Sequence, residues 1–198
     1  MDVAAEINAI HREVHGRMVV SSRRYDASAE DVWQACTDPD RLARWFLPVS
    51  GELRPGGTYQ LQGNAGGAIL RCDPPTLLRL TWIFGDGPGS VVQVRLRPED
   101  TGARLELEHS GLADDRHWDQ FGPGAVGVGW DLTLFGLALH LAGTIAGPDE
   151  WGTSPEARDL MTQSAKAWGA AHIVSGEDPA QAMAAAARTT AFYVPPHP

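Results

Sequence analysis

The amino-acid sequence predicts an α+β fold in which a curved antiparallel sheet wraps around one long helix, with extra helices at the N- and C-termini. Three observations carry this expectation. From Gly51 to Ser110 hydrophobicity alternates with a period of two, in runs separated by clusters of Gly, Pro, Asn and Asp. The alternation leaves each run with one apolar face, which another layer must cover. The apolar stretch from Ala125 to Thr144 is the one segment long enough to do so, at roughly 28 Å for ~1.5 Å of rise per residue.

Taken in order, Val3, Ile7, Ile10 and Val14 repeat at spacings of four, three and four, which predicts a short helix over 3–15, ended by Gly16. MVVSSRRYDA then reads as a strand. Ser28 caps a helix in ASAEDVWQACT, with Asp31 at the capping-box distance, and Asp38-Pro39 starts a second short helix, DPDRLARWF. The period-two runs GELRPGGTYQLQ, GGAILRC, TLLRLTWIF, SVVQVRLRP and ARLELEHS follow, with connections short enough for a meander. Leu78, Leu80, Trp82 and Phe84 share one face of their run. Val92, Val94 and Leu96 share one face of the next, and Leu105, Leu107 and His109 one face of the last. The long helix is apolar almost all round, so one side meets the sheet and the other needs a second cover. The tail supplies it, with a helix start at Thr153-Ser154-Pro155-Glu156 and another at Asp178-Pro179. Met161, Ala165, Trp168 and His172 line the first of these helices at near-helical spacing. The expected organisation is an N-terminal helix over 1–16, the sheet-and-helix domain over 17–146, and a C-terminal helical extension over 147–198 that packs on it.

At 198 residues and 43% apolar composition the chain is long enough to bury a core without disulfides or metals. A net charge of -9 argues against nucleic acid and anionic membrane surfaces as partners. Cys36 and Cys72 read as reduced thiols, and the amphipathic N-terminus has no signal core, which points to the cytoplasm. Ala125 to Gly147 is long enough to span a bilayer, but it carries Asp131 and His140. A central Asp alone costs about 2.5–3.5 kcal/mol on insertion scales, so a buried helix without membrane insertion is the better reading.

The segments DASAEDVWQACTDPDRLARWF, GELRPGGTYQL, CDPPTLLRLTW, VRLRPEDTGARLELEHSGL and GVGWDLTLFGLALHL, from Arg24 to about Gly143, together resemble the SRPBCC superfamily, which includes START and birch-pollen-allergen-like domains. The nearer resemblance is to its activator of Hsp-90 ATPase homologue-like family. The resemblance implies a helix-grip fold with a cavity between sheet and long helix. It leaves the chemistry open, because the superfamily holds lipid carriers, polyketide cyclases, hormone receptors and co-chaperone domains.

Few residues offer chemistry. Gly122-Pro123-Gly124-Ala125-Val126-Gly127 matches G-x-G-x-x-G, but no parallel strand follows, so the glycines are expected to let the helix start pass close to the sheet. His11 and His15, one helical turn apart, lack a third ligand and read as an exposed pair. His109 ends an inward apolar run and is the sharpest acid–base candidate; the alternative is a core histidine satisfied by its neighbours. Asp131 pairs either with His109 across the cavity or with Arg or Trp groups of adjoining elements, and structural pairing is favoured. No metal and no cofactor are expected.

The pocket expected between sheet and helix is lined by Trp45, Leu78, Leu80, Trp82, Val92, Val94, Leu105, Leu107 and His109, with Trp130, Leu134, Leu137 and Leu141 as the helix wall. Binding of a small hydrophobic or amphipathic ligand is the leading expectation. A cyclase or hydratase using His109 and Asp131, and a chaperone-associated interaction domain, are the alternatives; a homodimer is compatible with each.

Overall fold

The computed structural model of the chain describes residues 2–112, 115–144, 152 and 154–195; the expected boundary at 146–147 and Thr153 of the expected helix start lie outside them. Helix α1 (Val3–Asn8) is capped by Asp2, whose carboxylate accepts the Ala5 N–H. It gives way at once to strand β1 (Ile10–Val14), which pairs with β2 (Val19–Tyr25) from Ile10 opposite Arg23 to Val14 opposite Val19. The helix expected over 3–15 is therefore corrected to half a helix and a strand, and a boundary at residue 16 cuts a hairpin. A spacing of four keeps two residues on one face of a strand as well as of a helix, so Ile10 and Val14 satisfied both patterns.

Two short helices follow, α2 (Ala29–Thr37) and α3 (Pro39–Trp45). Ser28 Oγ accepts the Asp31 N–H and the Asp38 carboxylate accepts the Arg41 N–H, so each helix start satisfies its own orphan donor. The remaining strands are β3 (Val49–Gly51), β4 (Thr58–Leu61), β5 (Gly66–Asp73), β6 (Leu77–Trp82), β7 (Ser90–Glu99) and β8 (Gly102–Ser110). Within GELRPGGTYQLQ only Gly51 belongs to β3; the Pro55-Gly56-Gly57 turn separates it from β4 at Thr58–Leu61. The eight strands form one antiparallel sheet in the order β1-β2-β8-β7-β6-β5-β4-β3. The meander β3 to β8 is closed by the long-range pairing of β2 with β8, Val19 opposite His109 and Arg23 opposite Leu105. Phe84 is corrected: β6 ends at Trp82, and Phe84 lies beyond it, 65% exposed.

After a further short helix, α4 (Asp115–Phe121), the long helix α5 (Gly124–Leu141) crosses the apolar face of the sheet. Tyr25 on β2 donates its hydroxyl proton to the Leu134 carbonyl at 2.9 Å, tying sheet to helix. The other side of α5 is covered by α6 (Pro155–Val174) and α7 (Pro179–Tyr193). Leu160, Met161, Ala165, Trp168 and His172 are buried on α6. Among the described residues α5 is the one helix long and apolar enough to cross a membrane; here it lies between the sheet and the tail helices.

Candidate functional site

A cavity of about 170 Å³ opens between the sheet and α5. Its floor is the inward face of β6, β7 and β8: Leu78, Leu80, Trp82, Val92, Val94, Leu105 and Leu107. The strand registers bring these into rows, since Leu80 pairs with Val92, Leu78 with Val94, and Val94 with Leu107. Trp130, Leu134 and Leu137, one helical stripe of α5, form the opposite wall, and Trp45 from α3 closes one side. Leu141 and His109, expected on the wall, are not part of it. Leu141 packs against the core, and His109 packs against the lining residues Trp82 and Trp130.

Sequence reasoning missed the rest of the lining. Cys36 and Thr37 come from α2, Leu42 and Phe46 from α3 and its end, and Thr133 from α5. Val49, Leu53, Arg54, Tyr59 and Leu61 come from the β3–β4 arm, and Ile69 and Cys72 from β5. The alternation of Tyr59 and Leu61 was a visible signal. The β4–β5 pairing follows from their short connection, but that Tyr59 and Leu61 then face the same cavity emerges only in the assembled sheet.

The polar atoms on this wall are mostly committed. Trp45 Nε1–H donates to the Ala35 carbonyl at 3.0 Å, and Tyr59 O–H to the Thr81 carbonyl at 2.8 Å. Thr37 and Thr133 donate to carbonyls one helical turn back, Trp33 at 2.8 Å and Gly129 at 2.9 Å. Burial pushes the Cys36 thiol up to about 12 and raises Cys72 and Tyr59 as well.

His109 is 4% exposed and fully engaged. The Ser90 hydroxyl donates to the Trp82 carbonyl at 2.9 Å, which leaves its oxygen to accept His109 Nε2–H at 2.7 Å. Trp130 Nε1–H donates to His109 Nδ1 at 3.1 Å. This pattern assigns the proton to Nε2 and keeps the ring neutral, and burial lowers its pKa to about 4. The imidazole packs against both Trp82 and Trp130, ring centroids 6.1 and 5.7 Å away, and both of these indoles line the cavity.

The dyad considered between His109 and Asp131 does not form. Asp131, 1% exposed, points from α5 away from the cavity. Its Oδ2 accepts from Arg12 Nε at 2.8 Å, Ser164 Oγ at 2.5 Å and Trp168 Nε1 at 3.1 Å. Burial raises its pKa against the pull of the Arg12 guanidinium and these hydrogen bonds. Arg12 Nη2 and Asp131 Oδ1 have no partner among the described residues, so this is a structural knot between β1, α5 and α6. His140 accepts from Arg41 Nε at 3.3 Å and lies against Trp45, with ring centroids 6.3 Å apart.

His11 and His15 lie on β1 and just after it, with the Glu13 carboxylate between them at 2.9 and 2.8 Å. No group of metal-ligating side chains forms among the described residues. The G-x-G-x-x-G glycines serve the tail rather than the sheet. A Cβ at Gly124 would meet Thr189 of α7 at 2.7 Å, and one at Gly127 would meet the Trp168 ring of α6 at 2.3 Å.

The profile of the family described as Activator of Hsp90 ATPase homolog 1-like protein matches residues 26–142, which run from the start of α2 to the end of α5. CalU16 from Micromonospora echinospora is similar in two solved structures. Its crystal structure is 36% identical with a TM-score of 0.64, over 82% of this chain and 95% of that one. Its solution structure is 37% identical with a TM-score of 0.68, over 85% of this chain and 95% of that one. Protein MLL2253 from Mesorhizobium loti, 26% identical, matches with a TM-score of 0.57 over 65% of this chain and 98% of that one. DynU16, a protein in the dynemicin biosynthetic locus, shares the fold at 23% identity, over 66% of this chain and 49% of that one, with a TM-score of 0.56. No curated protein matches the chain.

Proposed function

Because the chain belongs to the Activator of Hsp90 ATPase homolog 1-like family, whose fold sets a sheet against a long helix, we propose that it binds a small hydrophobic molecule, without covalent chemistry, in the cavity between the two. The observation that carries this reading is the cavity of about 170 Å³ with an almost wholly aliphatic and aromatic wall. An apolar cavity of roughly 150 Å³ is enough to hold a benzene ring. Covering an apolar guest there is worth about 25 cal/mol per Å². The reading includes a cytoplasmic protein, on the strength of two free thiols and an acidic composition.

A cyclase or hydratase reading has less support. Both His109 nitrogens are engaged by protein groups, and Asp131 is bonded to Arg12, Ser164 and Trp168. The interaction-domain reading rests on the family name alone. Titration with a panel of apolar and amphipathic molecules, followed by tryptophan fluorescence, tests the proposal, because Trp82 and Trp130 line the site. At least one saturable change is expected. Leu107→Trp, which fills the space from the β8 side, should weaken it. A flat response across the panel, or a response indifferent to Leu107→Trp, overturns the proposal.

A further inference from the structure

The wall of the cavity treats charge in one consistent way. Its own acids are pushed toward their neutral forms by burial: the Cys36 thiol to about 12, with Cys72 and Tyr59 raised too. His109, which packs on the wall residues Trp82 and Trp130, is held neutral by the Trp130 N–H on Nδ1 and by loss of water. The lining cation is Arg54, whose side chain is 69% exposed and donates from Nη2 to Glu52 at 2.7 Å. Among the described lining residues no other side chain is charged, and an ion that leaves water without a partner carries a large cost. The net charge of -9 adds long-range repulsion of anions.

Neutral polar groups meet a different wall. The Trp45, Tyr59, Thr37 and Thr133 protons are spent on backbone carbonyls. Trp82 lines the cavity and accepts from Ser90 through its carbonyl, while its indole N–H makes no hydrogen bond among the described residues, and the two threonine oxygens keep lone pairs. That supply matches one hydroxyl or carbonyl. The volume of about 170 Å³, somewhat above the roughly 150 Å³ that holds benzene, sets the scale of a small ring compound.

We propose that this cavity selects uncharged ring compounds carrying at most one hydroxyl or carbonyl group, and rejects anions and cations of the same shape. The inference rests on the ligand-binding reading above. Isothermal titration calorimetry at pH 7 with 2-naphthol, 2-naphthoate and 2-naphthylmethylammonium compares one bicycle at three charges. Naphthol is expected to bind, with each ion at least tenfold weaker, and Leu107→Trp or Val94→Phe should abolish the naphthol heat. An ion binding within tenfold of naphthol overturns the selectivity and leaves ligand binding standing. Failure of naphthol alongside a positive fluorescence panel overturns the size and class proposed here. Failure of every compound in both experiments takes down the ligand-binding reading itself. A naphthol signal that survives both filling variants, each shown folded by circular dichroism, lies outside the cavity and also overturns the inference.

Discussion

At the scale of single residues the two polar groups that invite a catalytic interpretation are held by packing. His109 donates to Ser90 and accepts from Trp130, so His109→Gln strands a buried donor or acceptor and is expected to cost about 1–3 kcal/mol of stability. Its depressed pKa makes a second prediction. The ring titrates near 6.5 when unfolded and about 4 when folded, so in between the unfolded chain binds the extra proton. The His109 contribution is therefore complete above pH 6.5 and is lost as pH falls toward 4, amounting to roughly 3 kcal/mol. Urea unfolding from pH 7 to 4 should be less steep in His109→Gln than in the parent; parallel curves would contradict the assignment. Asp131→Ala leaves the Arg12 guanidinium buried without its carboxylate. A loss of about 3–5 kcal/mol is expected by the same measurement. A small change would mean that water reaches Arg12.

At the scale of elements, the start of α5 is decided by what passes behind it. The glycines there permit helix-to-helix contact: Gly127 lies under the Trp168 indole, which is completely buried. Gly127→Ala forces a methyl group into ring atoms 2.3 Å away. Such overpacking typically costs about 1–3 kcal/mol, so a clearly lower urea midpoint is expected. An unchanged midpoint would mean that α6 slides freely on α5. The pair α1 and β1 teaches the complementary lesson. Val3 and Ile7 pack with Phe135 and Leu160, whereas Ile10 and Val14 join the main core from the strand. One apolar spacing pattern is therefore divided between two kinds of element, and the division is made by the hydrogen-bond ladder that β2 offers.

At the scale of the whole molecule, the tail helices complete the domain. They cover the side of α5 opposite the sheet, and α6 supplies Ser164 and Trp168 to the Asp131 knot. Ending the chain at Gly147 removes that cover, uncovers an apolar helix face and leaves the Arg12–Asp131 pair short of partners. Aggregation is expected on size-exclusion chromatography with light scattering; a monomer as stable as the full chain would show that the tail is dispensable.

What the sequence by itself determined is the part written in local periodicity. The alternation from Gly51 to Ser110, the caps at Ser28 and Asp38, and the apolar stripe Trp130–Leu134–Leu137 each report one element and its inward face, and those faces include most of the floor and the helix wall of the cavity. The tertiary structure alone decided what depends on partners distant in the chain. β2, held in the sheet by its pairing with the distant β8, offered the ladder that makes Ile10–Val14 a strand, and the assembled sheet set Tyr59 and Leu61 on the cavity. Packing of α6 drew Asp131 away from His109 toward Arg12. A buried polar group takes whichever partner the assembled fold sets within hydrogen-bond reach, and spacing along the chain carries no record of that distance.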